Sequence, residues 1–137
     1  MIGIIVTTPA GRKIELFIRT IAGSLTSEET VRFLREIKQH LQGRKLLLIW
    51  DGLPVHRSER VSCYLTKQRA WLRVERFPAY APELNPIEYC WSAMKTRHLG
   101  NLRAAGMPLL GRAVRRAKRA MNDQTLLHGF LKASGLY

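Results

Sequence analysis

Leu46-Leu47-Leu48-Ile49-Trp50-Asp51-Gly52 runs five apolar residues into an abrupt Asp-Gly stop. An unbroken apolar run of strand length reads as a strand buried on both faces, and its crossover helix implies parallel pairing. That helix is visible upstream. Thr26-Ser27-Glu28-Glu29 has the capping-box form, and Val31, Phe33, Leu34, Ile37 and Leu41 recur near the helical period up to Gly43. Further upstream, residues 2–8 and 13–19 are β-branched and strand-like, joined as a hairpin through Pro9-Ala10-Gly11-Arg12.

Downstream, a shorter helix spans about 58–69, with Val61, Tyr64 and Leu65, and leads into the strand Leu72-Arg73-Val74-Glu75-Arg76-Phe77. A loop stiffened by Pro78, Pro82 and Pro86 follows. Then a helix runs from Asn85/Pro86 to about His98, with Ile87, Trp91 and Met94 on one face. Two more helices cover about 107–121 and 124–133. Strand, strand, helix, strand, helix, strand, helix is the order of an α/β protein with a mixed sheet.

The chain's 137 residues, 46% of them hydrophobic, suffice for a single domain with a sizeable core and exclude a disordered basic tail. Residues 102–137 are expected to form basic helices packed on that domain. No apolar run approaches the ~18–20 residues that span a bilayer. Met1 opens directly on a strand, without the pattern of a signal peptide. Cys63 and Cys90 lack metal-ligand spacing and read as reduced thiols of a cytosolic protein.

The formal net charge is +13, distributed as +4 over residues 1–50, +1 over 51–94 and +8 over 95–137. A polyanion is therefore the expected partner, bound mainly through the last third. Arg112, Arg115, Arg116 and Arg119 fall at i, i+3, i+4 and i+7, one basic helical stripe opposite Leu110, Val114, Ala117 and Met121. Such a stripe can follow a phosphate backbone, and Lys95 and Arg97 are further candidates for DNA contact. Charge and size alone would equally suit an RNA-binding or ribosome-associated protein.

Asp occurs only at positions 51 and 123. Asp51 stands at the carboxyl end of the most apolar strand, where open α/β sheets place their sites, although an Asp-Gly turn accounts for it locally. Glu88 stands three residues after Asn85, with Pro86 at the first helical position, and a capping-box variant accounts for it locally.

The string around Glu88 says more. Pro78-Ala79-Tyr80-Ala81-Pro82-Glu83-Leu84-Asn85-Pro86-Ile87-Glu88, with Trp91 and Lys95, resembles position by position the signature of DDE transposases of the mariner superfamily. The similarity is closest to the bacterial insertion-sequence branch. Leu48-Ile49-Trp50-Asp51-Gly52-Leu53-Pro54-Val55-His56 resembles that family's second-aspartate block. The close resemblance covers about Gly43 to Asn101.

It implies an RNase H-like catalytic domain that cleaves and joins DNA strands, with Asp51 as the second and Glu88 as the third metal-binding carboxylate. They stand 37 positions apart, slightly more than in related elements, a difference that one small insertion would absorb. Strand transfer needs an activated oxygen nucleophile, a shielded phosphorane-like charge and a stabilised leaving oxygen. Two Mg²⁺ (or Mn²⁺) ions roughly 3.5–4 Å apart supply all three. DNA, as element ends and target, is the implied partner, with a homo-oligomer expected in the complete protein.

The chain departs from the family in one respect. The first Asp of such transposases lies on an opening strand ahead of the segment matching residues 2–8, and Glu15, on the second strand, matches no motif. A domain truncated at its amino end, missing its first strand and inactive alone, is the expectation. An upstream-encoded segment or an intact transposase would then be a partner. The alternative is a non-catalytic basic DNA-binding remnant of a mobile element. Among other residues, His56 reads as a packing or turn residue, Tyr80 as a loop anchor, and Trp50, Trp71 and Trp91 as core, Trp91 locking the helix that presents Glu88.

Overall fold

The computed structural model describes residues 1–100 and 107–136. Four strands and five α-helices follow the expected order: β1 (Ile2–Thr7), β2 (Ile14–Arg19), α1 (Ser27–Leu41), β3 (Leu46–Trp50), α2 (Glu59–Lys67), β4 (Leu72–Arg76), α3 (Pro86–Met94), α4 (Met107–Met121) and α5 (Gln124–Ala133). The strands pair two by two, β1 with β2 and β3 with β4. The chain divides into two compact units, one of Arg19–Ala81 with Met1–Ile2 and the other of Gly3–Ile18 with Pro82–Tyr137.

In the first unit Thr26 caps α1, its Oγ1 accepting from Glu29 N at 3.2 Å, while the Glu29 carboxylate pairs with Arg32 and Arg19. The stripe Val31, Phe33, Leu34, Ile37 and Leu41 is buried along α1. The helix ends in left-handed backbone at Gln42 (φ 48°), one residue earlier than expected, and Gly43 (φ 85°) continues the turn. Gln68, after α2, ties α1 to the following strand, because its Oε1 accepts from Lys38 Nζ at 2.7 Å and from Trp71 Nε1 at 2.8 Å.

β3 and β4 pair in parallel, with Leu46 opposite Leu72 and Trp50 opposite Arg76. One expectation is corrected here: β3 is not buried on both faces. Leu48 and Trp50 are buried, but Leu47 and Ile49 are 55% and 38% exposed. Alternate residues of a strand face opposite sides, and only one side of β3 is covered.

The second unit collects the hairpin and the last three helices. Cys90 and Met94 of α3 pack with Ala117 and Met121 of α4, joined by Leu16, Ile18, Trp91 and Phe130. Ile14 packs with Leu127 and Leu131 of α5. β2 is held along its backbone by the α4–α5 turn. Gln124 accepts from Ile14 N through Oε1 at 3.2 Å and donates through Nε2 to Ile14 O, while Asn122 Oδ1 accepts from Leu16 N at 3.3 Å. Two side chains thus replace a neighbouring strand and blunt an edge that would otherwise seek one. Asp123 between them caps α5, accepting from Leu126 N at 2.9 Å. The helix expected to reach His98 becomes a π turn over Lys95–Leu99. Leu110 lies outside the described side chains, as do residues 101–106. No helix among the described residues is long and apolar enough to cross a membrane.

Candidate metal and nucleic-acid site

The last rung of the β3–β4 ladder is Phe77 N donating to Trp50 O at 2.9 Å, and the chain leaves the sheet at the next residue, Asp51. Its carboxylate does accept the turn bond that the sequence allowed, from Leu53 N to Oδ1 at 3.1 Å. It also does more. A single 3₁₀ turn, Pro54–Arg57, folds the chain back so that His56 Nδ1 lies 3.0 Å from Asp51 Oδ1 and 3.3 Å from Asp51 O. The imidazole stacks on Trp50, with centroids 4.1 Å apart and planes 1° from parallel. His56 is buried, whereas the Asp51 side chain is 41% exposed. Leu53 N thus donates to Oδ1, while the imidazole N bonded to Asp51 O also stands beside Oδ1.

Glu88 lies in the first turn of α3, exposed, with Pro86 preset for that turn. The capping-box explanation of this residue fails. The Asn85 side chain makes no cap bond, and the Asn85 N–H that Glu88 would have to satisfy donates instead to Pro82 O at 3.0 Å. The helix itself is firmly held. Cys90 and Met94 are fully buried on its inner face, and Tyr89 Oη donates to Glu83 O at 3.1 Å and lies 3.3 Å from Ala133 O. Trp91 packs against the hairpin where Gly3 leaves room, since a Cβ at position 3 would stand 2.8 Å from Trp91 Cη2. Burial pushes the Cys90 thiol up to about 11.

The basic candidates all face solvent: Lys95 and Arg97 on the π turn that continues α3, and Arg112, Arg115, Arg116 and Arg119 on α4. Val114, Ala117 and Met121 are buried on the opposite side of α4, so the stripe stands as the spacing predicts. Lys118, between the two faces, is half-buried and its ammonium is shifted downward by desolvation. Trp50 and Trp71 are core residues. Tyr80 corrects another expectation. It anchors nothing, being fully exposed, with left-handed backbone at φ 58°. Cys63 and Cys90 are free thiols.

The structure therefore brings Asp51 together with His56, and joins Lys95 and Arg97 to the helix that carries Glu88. Asp51 belongs to the first unit and Glu88 to the second. Among the described residues no three His, Cys, Asp or Glu side chains cluster as a metal cage. Each carboxylate by itself offers oxygen donors of the kind that suit a hard cation keeping most of its waters, such as Mg²⁺. The bond between His56 and Asp51 is what sequence reasoning missed. Its signal was the spacing of five positions across a proline, which becomes a contact only through the 3₁₀ turn.

No curated protein sequence is similar enough to count as a match. Among solved structures, the catalytic domain of Mos1 mariner transposase is similar with a TM-score of 0.67 at 18% identity, covering 90% of this chain and 63% of that one. The Mos1 transposase catalytic domain solved with raltegravir and Mg is similar at a TM-score of 0.64 and 17% identity, covering 90% and 65%. The chain thus spans less than two thirds of these solved domains, and shares with them the mixed α/β, RNase H-like fold. The family model described as DDE superfamily endonuclease matches residues 6–106, a stretch that includes both Asp51 and Glu88. With most of its length inside that match, the chain belongs to the DDE superfamily endonucleases.

Proposed function

We propose that this chain is part of a transposase of the mariner superfamily, nearest the bacterial insertion-sequence branch, that cleaves and joins DNA strands with divalent metal. Asp51 and Glu88 are its second and third carboxylates. The observation that carries the reading is the family match over residues 6–106, with Asp51 partly exposed at a strand end and Glu88 exposed at a helix start. Glu88 makes no capping-box bond, although its place in the first turn of α3 also suits the helix dipole.

In this role the two carboxylates hold the cation through oxygen, and when bound it supplies Lewis-acid stabilisation of the phosphoryl oxygens and lowers the pKa of a nucleophilic water. Arg112, Arg115, Arg116 and Arg119 bind DNA phosphates without reading sequence, and Lys95 and Arg97 do so beside the Glu88 helix. Asp51 and Glu88 are two of the three carboxylates that the family resemblance implies.

The test is Mn²⁺ binding, followed by electron paramagnetic resonance, for the wild-type chain, Asp51→Ala, Glu88→Ala and the double variant. Each single change is expected to weaken binding about tenfold or more, and the double variant to bind more weakly than either. Wild-type affinity in either single variant overturns the assignment of that residue.

A further inference from the structure

We propose that His56 is a positioning residue for the Asp51 carboxylate: the Nδ1–H of His56, donated to Asp51 O with Oδ1 3.0 Å from the same nitrogen, fixes the strand-end turn and with it the orientation in which the carboxylate meets a cation. This rests on the reading of Asp51 as a metal-binding residue. Three observations converge on it. Nδ1 lies within hydrogen-bond reach of two atoms, Asp51 Oδ1 at 3.0 Å and Asp51 O at 3.3 Å. A carbonyl oxygen only accepts, so Nδ1 carries the hydrogen whatever the charge of the ring. The ring cannot turn away, because it is buried and stacked flat on Trp50, the residue next to Asp51 and itself 9% exposed. The third is the turn around the carboxylate: Leu53 N donates to Oδ1 at 3.1 Å, and the His56 ring lies 3.0 Å from the same oxygen.

The physical consequence concerns rotamer freedom. A carboxylate 41% exposed at a strand end would otherwise sample several rotamers, and binding a cation would require one of them to be selected. The Leu53 N–H on Oδ1, with the imidazole packed beside that oxygen, narrows the selection before the cation arrives. Second-sphere hydrogen bonds to metal-binding groups change metal affinity about 10–100-fold. Trp50 acts one layer further back, setting the plane of the imidazole.

Two substitutions separate the donor from the stacking. His56→Phe keeps an aromatic ring on Trp50 and removes the donor. His56→Asn removes the ring and keeps an N–H three bonds from Cα, where Nδ1 stands. Mn²⁺ affinity is expected to fall about tenfold in His56→Phe and to stay within about threefold of wild type in His56→Asn. A merely structural role predicts the reverse order, and that order overturns the proposal.

Long-range ¹H–¹⁵N NMR of the metal-free wild-type chain gives a readout that depends on neither metal nor variant folding. His56 is expected to carry a proton at Nδ1, and a neutral ring protonated at Nε2 alone overturns the assignment. Asp51→Ala distinguishes the two levels of the argument. If it abolishes Mn²⁺ binding while His56→Phe binds as wild type, positioning fails and the metal reading stands. If Asp51→Ala binds Mn²⁺ like the wild type, both fall.

Discussion

Gly3→Ala is the smallest change that tests how the helix carrying Glu88 is seated. A Cβ at position 3 would lie 2.8 Å from Trp91 Cη2 and 2.9 Å from Cζ2, with Phe17 O at 3.2 Å. Carbon atoms settle at about 3.5–4.0 Å, so the methyl group overlaps the indole by about 0.7 Å or more. Backbone limits any retreat on one side. On the other, Trp91 is packed against the cluster of Cys90, Met94, Ala117 and Met121. Overpacking of this kind costs about 1–3 kcal/mol, and the loss of glycine's freedom in the unfolded chain returns about 0.4–1 kcal/mol. A net destabilisation of about 1–2 kcal/mol is expected, read as a lower urea midpoint with unchanged slope. Trp91→Phe removes the two atoms in conflict. In the Gly3→Ala background it should therefore cost about 1 kcal/mol less than in the wild type. A Gly3→Ala chain as stable as the wild type, or additive behaviour in the double variant, would refute the claim that glycine is required there by the indole.

Other expectations follow from the same packing and charge. Met94→Ala, at a fully buried position between α3 and α4, should cost about 2–5 kcal/mol in denaturant melts. Because burial holds the Cys90 thiol up to about 11 against 9.0 in its ordinary state, the unfolded chain loses this proton first as pH rises. Stability is therefore whole below pH 9 and declines between about pH 9 and 11, by on the order of 2 kcal/mol, and Cys90→Ala should flatten that decline in urea melts taken across the range. Replacing Arg112, Arg115, Arg116 and Arg119 by Gln should weaken DNA binding uniformly across sequences and lower the slope of log K against log salt by up to about 3–4, measured by fluorescence anisotropy. A slope unchanged from the wild type would show the stripe to be only solvated.

The order of elements, the Thr26 N-cap of α1 and the basic stripe of α4 were all legible along the chain, because each depends on spacings of one to seven residues that local geometry reads directly. The family signature around Glu88 was legible for a different reason: it is a long string of residue types, independent of any fold argument. Burial was less accessible. Five consecutive apolar residues cannot say how many faces of β3 are covered, since that depends on what other elements pack there, and Leu47 and Ile49 proved exposed. Glu88 shows the same limit, because the sequence permits a capping box and only the bond from Asn85 N to Pro82 O forecloses it. Tyr80 among prolines looked anchored, yet its left-handed backbone turns it fully outward.

Sequence by itself picked out the candidate residues: two acids in a setting that resembles the family signature, and a positive charge concentrated in the last third. Tertiary structure alone decided how one of those acids is held. Asp51 and His56 meet because the 3₁₀ turn at Pro54 reverses the chain and Trp50 offers a flat surface for the ring. A hydrogen bond depends on direction and on a few tenths of an ångström, and neither is written in the order of residues.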